Sequence, residues 1–191
     1  MGTLMVEFIT SLDGYSAAEG WPGLWGMESA EYFGWLGEQP EHTILMGATT
    51  YRLMSGMAES DEVGSDELTQ QSKVVFSSTL GDPLAWANTR LVTGDAADAV
   101  RAMKEDSPIE MRTLGSLSLC RSLITAGLVD RFRVVVFPVV NGATGQGRVY
   151  DGYPDVGLDL VESRTFDGGL QLLEYVPTVL DGPPGSTGAA G

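Results

Sequence analysis

The chain has one cysteine, Cys120, and one histidine, His42, in 191 residues. That scarcity excludes a disulfide framework, a zinc cluster of Cys and His ligands, and Ser-His or Cys-His triads built in the usual way. Positive charge is also scarce, 11 basic residues against 26 acidic ones, for a formal net charge of -15. Nucleic-acid affinity rests on lysines and arginines neutralising phosphates, so that partner class is set aside. No apolar run approaches the ~20 residues of a membrane span. The N-terminus lacks the basic region of a signal peptide, Glu7 interrupts its apolar run, and Val6 stands where a myristoylation motif starting at Met1-Gly2 asks for Ser or Thr. The expectation is a cytoplasmic protein acting on a small molecule. What is present, an apolar fraction of 43%, suffices for one domain with a substantial core.

Along the chain, Leu4 to Thr10 is apolar and β-branched enough for a buried strand, ended by the turn Ser11-Leu12-Asp13-Gly14-Tyr15. Ala17 to Met27 reads as a long loop in which Trp21 and Trp25 either lid a site or cover the core edge. Ser29 is placed to cap a helix reaching about Glu38, with Tyr32, Phe33, Trp35 and Leu36 at helical spacing. His42 falls in a polar surface turn. Thr43 to Gly47 is a second strand, running through Ala48-Thr49-Thr50 into a helix from Tyr51 to about Met57, and the acidic stretch from Ala58 to Gln71 is peripheral and partly helical. Lys73 to Phe76 and Arg90 to Thr93 are further strands, and Asp95 caps a helix that turns Ala99, Val100 and Met103 inward.

Ile109 to Leu114 is a fifth strand, ending at Gly115. Ser116 is placed to cap a helix from Leu117 to Ala126 whose Leu119, Cys120, Leu123 and Ile124 form one apolar face, where Cys120 packs. Phe132 to Val140 is strongly β-forming, and Pro138 marks a bulge or the point where the strand leaves the sheet. A glycine-rich loop over 141–147 follows. Leu158 to Phe166 and Leu170 to Tyr175 flank Asp167-Gly168-Gly169 as an antiparallel hairpin. These spacings predict one domain over 1–176 and a disordered tail over 177–191.

The alternation of strands and helices implies an α/β fold with a largely parallel sheet closed by an antiparallel hairpin. Ligands gather outside the carboxyl ends of such strands, where Gly47, Ser77-Ser78, Thr93-Gly94 and Gly115-Ser116 all fall. A strand that stops at Gly115 and feeds a helix leaves unpaired N–H groups at the positive end of the helix dipole, a seat for phosphate. The same glycine also serves any ordinary strand-to-helix turn. Gly142, Gly145 and Gly147 precede no clear helix, so a dinucleotide fingerprint of the Gly-x-Gly-x-x-Gly type is not supported.

Five stretches carry a resemblance: Ser11-Leu12-Asp13-Gly14-Tyr15; Leu45-Met46-Gly47-Ala48-Thr49-Thr50-Tyr51; Val75-Phe76-Ser77-Ser78-Thr79-Leu80; Leu114-Gly115-Ser116 with Gly127-Leu128-Val129-Asp130; and Phe137-Pro138-Val139-Val140-Asn141-Gly142. In this order, over about residues 4 to 176, they resemble the dihydrofolate reductase-like superfamily, nearest to the reductase domain of the riboflavin-biosynthesis deaminase-reductases. The resemblance implies a three-layer fold with a mixed, mostly parallel sheet of about eight strands. It also implies NADPH as hydride donor, a pterin, pyrimidine or related heterocycle as substrate, and a homodimer. Matching positions place Gly47, Thr49 and Thr50 at the cofactor phosphates, Ser77 and Ser78 towards the adenosine 2′-phosphate, and Gly115, Ser116 and Leu117 at the pyrophosphate. Asp13, Trp25 and Thr113 fall on the substrate side. Glu31 takes the place of the helix carboxylate that relays a proton, which a raised pKa from partial desolvation would suit, with Glu28 its nearby competitor.

The chain departs from that pattern in three ways. Ala48 replaces the arginine expected beside the 2′-phosphate, which leaves NADH open as the cofactor unless Arg52, Lys73 or Arg90 substitutes. Thr113 stands where the riboflavin-pathway reductases tend to carry a substrate-binding glutamate. Gly115-Ser116 replaces a glycine pair, and the zinc deaminase signature is absent. The expected function is an NAD(P)H-dependent reductase, with a non-catalytic ligand-binding protein of the same fold as the alternative.

Overall fold

In the computed structural model, which describes residues 1–20, 24–27, 29–58 and 65–185, strands and helices alternate much as the apolar pattern requires. The elements are β1 (Leu4–Ser11), β2 (Tyr15–Ala18), α1 (Ala30–Gly37), β3 (His42–Gly47), α2 (Ala48–Ala58), α3 (Ser65–Gln70), β4 (Lys73–Phe76) and β5 (Thr89–Val92). They continue with α4 (Ala96–Asp106), β6 (Glu110–Thr113), α5 (Leu117–Thr125), β7 (Arg131–Phe137), β8 (Gly145–Arg148), β9 (Val156–Thr165) and β10 (Gln171–Val179). Eight strands form one sheet in the order β5-β4-β3-β6-β1-β7-β10-β9. It is parallel from β5 through β7 and antiparallel where β10 joins β7 and β9.

Strand β1 is central and buried on both faces, as its near-continuous apolar run requires of a parallel strand between two helical layers. One face carries Leu4, Val6 and Phe8 against Leu119, Cys120, Leu123 and Ile124 of α5 and Val100 of α4. The other places Ile9 with Val135 and Phe137 under Tyr32 and Trp35 of α1. A third cluster joins Ile44, Met46 and Val75 to Tyr51 of α2 and Trp86. The sheet is thus sandwiched between α1–α2 and α4–α5.

Helix α1 begins as expected: the Ser29 hydroxyl accepts from the Tyr32 N–H at 3.0 Å. Lys73 heads β4 fully buried, its ammonium donating to the carbonyls of Leu68, Thr69 and Gln71 and so capping the end of α3. Four expectations change. The loop after β1 and the glycine-rich segment contain β2 and β8, which pair as a two-stranded ribbon. Its pairing comes from residues about 130 apart, so local pattern could not reveal it. Helix α2 starts at Ala48, directly after Gly47, not at Tyr51. His42 opens β3 and is half-buried, not in a surface turn, and burial lowers its pKa. The chain from Pro177 to Val179 belongs to β10, paired with Leu158, Gly157 and Val156, and is not tail.

Candidate functional site

Two strand-to-helix turns meet at the carboxyl edge of the sheet. Strand β3 turns at Gly47 into α2, and its neighbour β6 turns at Gly115-Ser116 into α5. Gly115 and Ser116 both hold left-handed conformations, φ 61° and 63°. Glycine adopts this readily, whereas a serine does so at a cost of about 1 kcal/mol or more. The strained turn sends the Ser116 hydroxyl across the gap, where it accepts from the Gly47 N–H at 2.6 Å and lies 2.9 Å from the Thr50 hydroxyl. A β-carbon on Gly47 would sit 2.9 Å from Ser116 Oγ, so glycine is required for this approach.

The expectation that Ser116 caps α5 is therefore corrected. Its side chain makes no capping bond. The hydroxyl is spent on Gly47, and the first-turn N–H groups of α5 keep no side-chain acceptor from their own N-cap. They open into a cleft of about 640 Å³ whose walls come from Gly47, Ala48, Thr49 and Thr50, from Phe76 and Ala96, and from Ser116, Leu117, Ser118, Leu119 and Ser122. The N-termini of α2, α4 and α5 all reach this cleft. Dipoles converging there, with several hydroxyls, suit a singly charged phosphate diester better than bulk water-filled surface does. A larger depression, about 900 Å³, lies at the opposite end of the strands beside the C-terminal half of α4, with Asp106 and Glu41 in its walls. There the negative end of the α4 dipole and the two carboxylates oppose an anion, while the cations in the walls are Arg90 and a Lys73 already committed to three carbonyls, so size does not decide between the two.

The predicted cofactor residues Gly47, Thr49, Thr50, Ser116 and Leu117 come together in the cleft walls, and Gly115 forms the turn behind them. Ser77 and Ser78 follow Phe76 at the rim, where the Ser77 hydroxyl accepts from the N–H groups of Thr79 and Leu80. The residues expected on the substrate side are dispersed. Thr113 is buried, its hydroxyl accepting from the Glu7 N–H. Asp13 accepts from the Ser11 hydroxyl and the N–H groups of Asn141 and Gly142, bonds that hold its carboxyl down to about 2. Trp25 packs its ring against Phe137 and donates its indole N–H to Asn141, so Asp13 and Trp25 meet through one loop rather than in the cleft. Trp21 and Glu28 lie outside the described residues.

Glu31 does not have the desolvated setting expected of it. Its carboxylate is 44% exposed, accepts from Arg164 at 3.0 Å and from the Asp167 N–H at 2.9 Å, and so clasps α1 to the β9–β10 hairpin. A second group of charges escaped the sequence reading. Glu7, Arg133 and Glu174 stand opposite one another on β1, β7 and β10. Arg133 donates to Glu174 at 2.7 Å and to Glu7 at 3.3 Å, beneath the ring of Trp35. Desolvation raises the Glu7 pKa against the pull of Arg133 and Arg112. The signal was present, a single glutamate in each of two otherwise apolar strands and an arginine within the apolar run of β7, but only register shows that the three meet. Among the described residues no three His, Cys, Asp or Glu side chains gather as a metal site, and no helix is long and apolar enough to cross a membrane.

The family model described as the RibD C-terminal domain matches residues 2–172. The chain belongs to that family. Its fold is dihydrofolate reductase-like, a reductase-type architecture. The uncharacterized protein YyaP of Bacillus subtilis (strain 168) is 27% identical over 139 residues, covering 70% of this chain and 72% of YyaP. A protein of Shewanella sp. PV-4 named for riboflavin biosynthesis superposes with TM-score 0.71 at 17% identity, over 92% of this chain and 99% of its own. Dihydrofolate reductase from Enterococcus faecalis, solved with NADP(H), superposes with TM-score 0.62 at 13% identity, over 93% of this chain and 97% of the other. At these identities the two structures speak for the fold. In this member of the RibD C-terminal domain family, Gly47 and Gly115 form the two turns and position 48 is alanine.

Proposed function

We propose that this chain is an oxidoreductase that holds a reduced nicotinamide dinucleotide in the cleft between α2 and α5. Hydride passes to a C=N or C=O carbon of a small heterocycle, a pterin or a pyrimidine such as a phosphoribosylaminouracil. The observation that carries this reading is the diverted Ser116 hydroxyl, which leaves the N-terminus of α5 uncapped towards a cleft that the N-terminus of α2 also faces. The family and the NADP(H) bound by a protein of the same fold support it. When bound, the dinucleotide supplies the hydride. The first-turn N–H groups of α5 and the hydroxyls of Thr49 and Thr50 hold its diphosphate, and Gly47 and Gly115 keep the turns narrow enough for close approach.

Calorimetric titration is expected to show reduced nicotinamide dinucleotide binding far more tightly than adenosine, and Gly115→Asp, which puts a carboxylate into the phosphate seat, to abolish binding with the circular dichroism spectrum unchanged. Absence of binding to the native chain would refute the proposal. A non-catalytic binding protein of the same fold is favoured by one observation, the engagement of Glu31 with Arg164 and Asp167. Steady oxidation of the dinucleotide with a pterin or pyrimidine, unaltered in Glu31→Gln, separates turnover from mere binding.

A further inference from the structure

The cleft described above has an unusual charge balance for a site that receives a dinucleotide. None of the residues in its walls carries a charge. None of the chain's 11 lysines and arginines lines it. Arg52 follows Ala48 by one turn on α2, outside the walls, while Lys73, Arg90, Arg101, Arg121 and Arg148 are placed or committed elsewhere. Lys73 and Arg90 lie towards the other ends of β4 and β5, Lys73 buried on three carbonyls and Arg90 in the opposite depression. Arg101 pairs with Asp98 at 2.6 Å, Arg121 donates to the Asp151 carbonyl, and Arg148 lies over the Tyr15 ring. The rim is acidic where α4 begins: Ala96 lines the cleft, and Asp95 precedes it as the N-cap, one carboxylate oxygen accepting from the Asp98 N–H at 3.0 Å.

Dipoles and hydroxyls are enough for the two single charges of a diphosphate bridge, but not for a phosphomonoester, which carries about -1.5 to -2 at pH 7 and needs a guanidinium or ammonium partner. A carboxylate near the adenosine ribose accepts from a free 2′-hydroxyl and repels a 2′-phosphate. Resting on the proposed function, we infer that the cleft selects the dinucleotide with an unphosphorylated adenosine ribose, NADH over NADPH, with Ala48 and Asp95 as the residues that set the choice.

Titration of the native chain with NADH and NADPH at one ionic strength tests this by binding alone. NADH is expected to bind at least ten-fold more tightly. Ala48→Arg, which puts a guanidinium on the first residue of α2, is expected to strengthen NADPH at least ten-fold relative to NADH. Asp95→Asn, which retains a capping oxygen, is expected to narrow the ratio. NADPH binding as tightly as NADH, or more tightly, overturns the inference; if that affinity then falls in Arg52→Ala, the phosphate is held by the arginine one helical turn beyond Ala48. Binding of neither dinucleotide removes the proposed function together with the inference.

Discussion

Replacing Arg133 by methionine leaves two carboxylates, Glu7 and Glu174, facing each other across β7 beneath α1 with their shared cation gone. Arg133 is 6% exposed and Glu174 9%, so solvent cannot substitute for the guanidinium. Breaking a buried ion pair from one side costs about 3–5 kcal/mol, and the stacked Trp35 contact, 4.8 Å from ring centre to guanidinium, goes with it. For a chain of this size each kcal/mol is worth about 2–4 °C, so the melting temperature should fall by roughly 6–20 °C. The loss carries a pH signature. Burial holds the folded pKa of Glu7 above its ordinary 4.5, so the native state binds the proton more tightly than the unfolded chain. That contribution is full below 4.5 and is lost as pH rises through the folded value. Removing Arg133 pushes the folded value further up, so the penalty grows with pH. Urea denaturation at about pH 5 and about pH 8 should show a larger destabilisation at the higher pH. The triple variant Glu7→Leu, Arg133→Met, Glu174→Leu should recover most of the loss, because none of the three positions then holds a charge. A penalty below about 1 kcal/mol for Arg133→Met, or one that does not change with pH, would refute the account.

Two further outcomes follow from local geometry. Cys120 is fully buried, burial pushes its thiol up to about 12, and its Sγ faces the Gly115 carbonyl, so a thiol reagent should label the chain only after denaturation; prompt labelling of the native protein would contradict that packing. Asp13→Ala removes the acceptors for the Asn141 and Gly142 N–H groups, so hydrogen exchange at these amides should accelerate. In the native chain the same protection, present above the ordinary 3.8, should persist on acidification and be lost as pH falls through about 2.

The sheet was legible because parallel strands buried on both faces read as near-continuous apolar runs, and β1, β3, β4 and β7 each do. Ser29 and Asp95 were legible as caps because a capping side chain acts on N–H groups two or three residues away. Ser116 looked identical to them in sequence. Its hydroxyl is diverted by Gly47, 69 residues earlier, and no local rule contains that bond. The β2–β8 ribbon and the Glu7–Arg133–Glu174 row were hidden for the same reason, since register between distant strands decides both. Glu31 was placed by counting along one helix, which fixes its position on α1 but not the Arg164 that reaches it from β9.

The position of β1 also bears on how the chain is made. Strand β1 lies inside the sheet, and its hydrogen-bonding partners are residues 111–112 on one side and 131–137 on the other. During synthesis its apolar residues lack their sheet neighbours until β6 and then β7 have been polymerised. Such long-range pairing slows folding and lengthens the exposure of an aggregation-prone segment. The lone glutamate in that strand, later neutralised by Arg133, is during this interval its only charge, and an unpaired charge inside an apolar run opposes premature strand association.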